Sequence, residues 1–183
     1  MIDERELVLG CQQGNNEARR QLYEAYADYL YSICFRYSGD ASLAEDWMHD
    51  GILKILTQID RFKWQGEGSL SAWIFSIQHN TIISHLRKDR VWKESLSIEE
   101  YIAKDEEPEP ETTEDIPIEV LMQMIADLPT GYRAVFNLYV IEGFSHREIA
   151  QMLGIHEKSS SKQLTLARRA LASRIIVWRK ENL

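Results

Sequence analysis

Twelve consecutive residues, Lys104 to Asp115, contain no apolar side chain, but they hold seven acids and the prolines Pro108 and Pro110. Such a stretch has nothing to bury and repels itself, so it is expected to stay extended and to divide the chain. The charge distribution agrees. Between Glu94 and Asp127 there are 12 acids and one base, Lys104, whereas residues 1–93 carry −2 and residues 128–183 carry +5, for a net charge of −8. The expected layout is a first domain over 1–93, an acidic flexible linker over 94–119 and a second domain over 120–183. A solvated tether with no role beyond reach is the plain reading of that linker.

Several classes are set aside early. At 44% hydrophobic residues the chain can form packed cores. No apolar run approaches the roughly 20 residues of a membrane-spanning helix, and Ile2 to Glu6 lacks the apolar core of a signal peptide. A cytoplasmic chain with no membrane insertion of its own is expected. Cys11 and Cys34 have no Cys-x-x-Cys partner and read as core thiols. The five histidines are scattered, and Glu45 and Asp46 beside His49 make too few ligands. No metal and no cofactor are expected.

The first half reads as helices. Leu22, Tyr23, Tyr26, Leu30, Ile33, Cys34 and Tyr37 keep the three-four spacing of one buried face, with Asn15 or Asn16 as cap. Ser42 and Glu45 have the spacing of a capping box, and Trp47, Ile52, Ile55, Leu56 and Ile59 continue an apolar stripe. Gly66 and Gly68 interrupt the chain, Ser69 can cap again, and Leu70, Trp73, Ile74, Ile77 and Thr81 mark a third helix ending in Arg87, Lys88, Asp89 and Arg90. The economical architecture is a three- or four-helix bundle.

Two chemistries meet around that third helix. Phe62, Lys63, Trp64, Gly66 and Gly68 form a loop ahead of it, and His79, Asn80, Ser84, Arg87 and Lys88 lie along it. Aromatics, glycines and bases together can hold an unpaired base by stacking and polar contact. The structural alternative is that Phe62 and Trp64 close the core while the bases cap a helix end.

The second half carries a sharper pattern. Pro117 can start a helix with the stripe Val120, Leu121, Met124, Ile125 and Leu128, which Pro129 ends, and another is expected from Tyr132 to Glu142, stopped by Gly143. Ser145 to Glu148 has the form of a capping box, followed by Ile149, Ala150, Leu153, Gly154 and Ile155, then a helix through Leu164, Ala167 and Leu171. This is the pattern of a helix-turn-helix. The second of the two helices offers Ser159, Ser161, Lys162, Gln163, Thr165, Arg168 and Arg169, suited to phosphates and base edges in a major groove. An αα-hairpin with a basic solvated face is the alternative.

Taken in order, Ala44 to Asp50, Trp73 to Asn80, Leu86 with Arg87, Leu128-Pro129 through Arg133, Glu142-Gly143, Glu148 to Ala150 and Leu153 to Ile155 resemble the extracytoplasmic-function group of bacterial RNA polymerase sigma factors. The resemblance covers nearly the whole chain. It implies a non-enzymatic, all-α protein in which an N-terminal helical bundle grips core polymerase and opens the −10 promoter element, while a C-terminal helix-turn-helix domain reads the −35 element. Carried over by motif, Glu45, Asp46, His49 and Asp50 would meet the clamp of the large polymerase subunit, with the flap as a further contact. Phe62, Lys63, Trp64, Gly68 and Ser69 would accept a flipped −10 base, and Asn80, Arg87 and Lys88 would follow the melted strand. Arg147, Ser159, Ser161, Lys162, Gln163, Thr165, Arg168 and Arg169 would contact the −35 duplex. The resemblance also implies an anti-sigma factor as partner, and a linker whose carboxylates imitate nascent RNA in the polymerase channels.

The sequence departs from the usual pattern at His156, Lys158, Ser160 and Leu166, which leaves the base-reading register open by a turn. Two other classes share features with this chain. A LuxR-type regulator has a similar C-terminal pattern but an α/β input domain, and no strand-rich half exists here. An all-α enzyme would need a nucleophile-base pair or a phosphate loop, and none stands out. If the linker acts through charge, a neutral linker of equal length will change the ratio of abortive to full-length transcripts; an unchanged ratio would mean that reach alone matters.

Overall fold

The computed structural model describes residues 3–88, 113 and 115–182. All regular elements among them are helical. The acidic linker lies almost wholly outside the described residues, as do Asp89 and Arg90. Contacts divide the chain into two compact units, Met1–Phe35 with Ala41–His85, and Arg36–Asp40 with Leu86–Leu183.

The first unit is built from α1 (Glu4–Gln12), α2 (Asn16–Ser38, whose last turn is counted with the other unit), α3 (Ala41–Gln58), a 3-10 turn (Ile59–Arg61) and α4 (Ser69–Lys88). Asp3 caps α1 by accepting from the amides of Arg5 and Glu6, and Asn15 caps α2 by accepting from Glu17 and Ala18. Ser42 is not at a cap: α3 begins at Ala41, so Ser42 falls inside the first turn. Leu7, Val8 and Cys11 of α1 are buried, as are Leu22, Leu30, Ile33 and Cys34 of α2, Trp47, Ile52 and Ile55 of α3, and Leu70, Ile74 and Ile82 of α4. Tyr23, expected on the same buried stripe, is partly exposed and stacks on His49 instead.

One polar residue sits in this core. Gln78 of α4 is fully buried, and its amide nitrogen donates to the Cys34 Sγ at 3.0 Å and to the Trp47 carbonyl at 2.9 Å. The space it occupies exists because residue 51 is glycine: a Cβ there would stand 1.7 Å from Gln78 Oε1. Burial also pushes the Cys34 thiol up to about 12, so it is an inert packing group.

The second unit contains α5 (Ile118–Ala126), α6 (Thr130–Phe136) running into a π turn (Asn137–Ile141), α7 (His146–Leu153) and α8 (Glu157–Asn182). The helix expected over Tyr132 to Glu142 thus starts two residues earlier and widens halfway. Packing begins at Asp115 and Ile116: the Arg179 guanidinium donates to both Asp115 carboxylate oxygens at 2.9 and 2.8 Å, and Ile116 packs with Met124 and Ile175. A second cluster joins Leu128 and Tyr132 to Leu166 and Ala167. Arg133 is buried and donates to the carbonyls of Ala126 and Leu128, which satisfies the end of α5 at the Leu128-Pro129 corner. Burial lowers its affinity for a proton, to a pKa of about 10.

The Ser145 capping box forms in full. Ser145 Oγ accepts from the Glu148 amide at 3.3 Å, and Glu148 Oε2 accepts from the Ser145 amide at 2.9 Å and from its hydroxyl at 2.7 Å. Gly154 ends α7 in the left-handed region at φ 70°, where a side chain would be strained. Ser145→Ala is expected to cost about 1 kcal/mol in denaturant unfolding of the chain. The Ser145 hydroxyl and then its amide hold the Glu148 carboxyl below its ordinary value of 4.5. A depressed carboxylate stabilises the fold above that value and loses its contribution as pH falls through the folded one. Glu148→Gln should therefore show a smaller loss of stability on acidification below about pH 4.5 than the parent chain; equal acid sensitivity would remove Glu148 from the account.

Candidate nucleic-acid interface

Three surfaces carry the residues expected from sequence. On α3, Glu45, Asp46, His49 and Asp50 are all exposed, and Leu53, one turn on, is 63% exposed. An apolar side chain left that open among acids suits a protein partner with basic and apolar contacts. The His49 ring lies 6.4 Å from that of Tyr23 with planes 11° apart. Asp50 Oδ2 is 3.0 Å from His85 Nε2, and His85 stacks on Trp47 at 5.1 Å. His85 was not singled out from sequence, because nothing in the α4 pattern indicates that it reaches across to an α3 carboxylate.

The loop between the 3-10 turn and α4 borders an open cavity of about 330 Å³ lined by Arg61, Phe62, Lys63, Gln65, Ser69 and Trp73. Phe62 is only 8% exposed and packs on Trp73 at 5.0 Å, so it forms the cavity wall and is no free stacking platform. Trp64 is 40% exposed and Lys63 and Gly68 are exposed. The loop holds its own shape. Ser69 Oγ donates to the Gly66 carbonyl at 2.6 Å and accepts from the Gln65 amide at 3.2 Å. Gly66 and Gly68 take φ of 116° and 80°, which favours glycine at both positions. The two cations and the neutral hydrogen-bonding groups can meet the phosphate and the polar edge of an unpaired nucleotide. Arg61 and Trp73 lie outside the loop Phe62 to Ser71 expected for this role; Trp73 has the period of a core residue. Farther along α4, Asn80, Arg87 and Lys88 are exposed and His79 is buried.

On the helix-turn-helix, Arg147 of α7 and Ser161, Lys162 and Arg168 of α8 are exposed, while Ser159, Thr165 and Arg169 are half-buried. Gln163 is different. At 1% exposure it is turned into the unit, and a side chain enclosed by its own domain cannot reach a base edge, so it drops out of the reading surface. Ser160, a polar residue at a commonly apolar place, is fully buried, and its hydroxyl lies 2.9 Å from His146 Nδ1. His146 in turn stacks on Tyr139 at 4.4 Å. This pair ties the start of α7 to the start of α8. Beside it a cavity of about 600 Å³ is lined by His146, His156, Glu157, Lys158 and Ser161. Leu166, where a base is often found, is a core residue.

Among the described residues no cluster of three His, Cys, Asp or Glu could hold a metal ion, and no helix is long and apolar enough to cross a membrane.

Residues 22–91 match the family model for sigma-70 region 2, and residues 118–171 match that for sigma-70 region 4. The chain is 25% identical over 171 residues to the RNA polymerase sigma factor YlaC of Bacillus subtilis, covering 92% of this chain and 98% of that protein. It is 28% identical over 154 residues to the ECF RNA polymerase sigma factor BldN of Streptomyces coelicolor, covering 83% of this chain and 58% of BldN. A solved structure of the sigma factor RpoE with the anti-sigma factor NepR from Bartonella quintana aligns with a TM-score of 0.48 at 19% identity, over 86% of this chain and 96% of that one. With regions 2 and 4 in order and the pocket and helix-turn-helix lying within them, the chain belongs to the sigma-70 family, in its extracytoplasmic-function group.

Proposed function

We propose that this sigma factor, whose family directs promoter-specific transcription initiation, divides the work among the three surfaces. The face of α3 bearing Glu45, Asp46, His49 and Asp50 docks on the clamp of core polymerase. The loop cavity takes an extruded −10 base, with Asn80, Arg87 and Lys88 along the melted strand. Arg147, Lys162, Arg168 and Arg169, with Ser159, Ser161 and Thr165, engage the −35 duplex. The observation that carries this reading is the loop cavity, because its size and its cations suit a single unpaired base. Ile176 and Val177 of α8, both open to solvent, support a second polymerase contact such as the flap.

The protein contributes binding energy and makes or breaks no bond. Capture of a base offsets the few kcal/mol of its unstacking. A net charge of −8 makes binding to free DNA weak, since phosphate neutralisation supplies most non-specific affinity. Action in the cytoplasm, with an anti-sigma factor covering these faces when the chain is silent, completes the proposal. The apolar exposure of Leu43 and Leu53 on α3 supports a protein partner there.

Two expected outcomes test the assignment. Alanine at both Asp46 and Asp50 is expected to weaken competition for core polymerase about tenfold. Undiminished competition by the double variant would move the contact off this face. Arg168→Ala and Arg169→Ala, measured in holoenzyme on a promoter, should each weaken retention and lower the dependence of log affinity on log salt by about 1. An unaltered slope would place both guanidinium groups away from phosphate.

A further inference from the structure

The region 2 match starts at residue 22, so α1 stands outside it. Yet α1 touches the base-capture loop at both ends and in the middle. Gln12 Nε2 donates to the carbonyls of Ile59 and Phe62, each at 3.0 Å, so both amide hydrogens are spent at the point where the chain leaves the 3-10 turn for the cavity wall. Glu4 Oε2 accepts from the Gly68 amide at 3.1 Å, on the far limb of the loop. Between them the Arg5 guanidinium lies over the Trp64 ring, 5.7 Å from its centroid. The helix itself is set by a close crossing, since a Cβ on Gly10 would come 2.7 Å from the Ala18 Cβ of α2.

We infer that α1 is a positioning element for −10 base capture: Gln12 and Glu4 fix the two limbs of the loop, and Arg5 holds the exposed Trp64 ring at the loop's rim. The inference rests on the function proposed above. Its chemistry is that of prepaid order. A loop with two glycines in the left-handed region gains freedom when its outside hydrogen bonds are cut, and ordering it again at the moment of base capture weakens binding. A cation over the exposed indole restricts its rotamers and adds a charge at the rim where a phosphate would pass.

The test uses full-length chain in holoenzyme with core polymerase and fork-junction promoter DNA in which an abasic site is moved through the −10 element. At the captured position the parent holoenzyme should bind the abasic DNA about tenfold more weakly than the intact DNA. Glu4→Ala combined with Gln12→Glu, which keeps the side-chain shape of Gln12 but cannot donate when ionised, should cut that penalty to about twofold. Core affinity and the cooperative thermal transition should stay as in the parent. Glu4→Gln retains an acceptor oxygen and should restore most of the penalty at that end of the loop, and Arg5→Ala should lower it where Arg5→Lys does so less. A full penalty in the double variant overturns the inference, and so does a variant that loses the penalty only together with core binding or cooperative melting, which would make α1 a packing element. If the parent shows no abasic-sensitive position, base capture itself fails, and the inference falls with it for a reason the variants do not share.

Discussion

The close passage of α3 over α4 at Gly51 is the constraint on which the first unit depends. Gln78 fills the space that a side chain at 51 would need, and in doing so it donates to a thiol on α2 and a carbonyl on α3. Both hydrogens of the buried amide nitrogen are used, one on a thiol of α2 and one on a carbonyl of α3, and moving either helix would strand a buried donor, so these contacts fix the spacing of three helices together. That spacing has consequences on both faces. It brings His85 of α4 within reach of Asp50 on α3, and it aims the start of α4, with Trp73, at Phe62 in the loop. The exposed face of α3 and the loop ahead of α4 therefore share one scaffold. A small change at the crossing would disturb both.

Preorganisation is common to the loop and the helix-turn-helix. In the loop, Ser69 ties Gly66 to Gln65, so the cavity exists before any ligand arrives. In the helix-turn-helix, the Ser145–Glu148 box fixes where α7 begins, Gly154 fixes where it ends, and the Ser160–His146 pair sets its angle to α8. Binding gains most when the groups that make it need no ordering on contact.

Much of this was legible in the sequence because it is local. The Ser145 box, the Asn15 cap and the Gly154 turn follow from hydrogen bonds made within four residues. The buried faces of α2 and α3 follow from helical period. What the sequence hid is what depends on distant partners. Gln163 has the chemistry of a base reader, and only the packing around α8 shows it enclosed. Ser160 looked like a defect until His146, fourteen residues away, supplied its partner. Ser42 missed the cap by two positions because the helix starts at Ala41. The contacts of α1 with the loop are hidden for the same reason: they join residues some fifty to sixty apart in sequence.

The proposed surfaces would act only as parts of a polymerase. Run-off transcription from a promoter of the source genome, with core polymerase alone and with this chain added, followed by mapping of start sites, measures that directly. The account predicts discrete start sites that appear only when the chain is present. Transcripts independent of the chain, or none on any promoter despite tight binding to core, would contradict it.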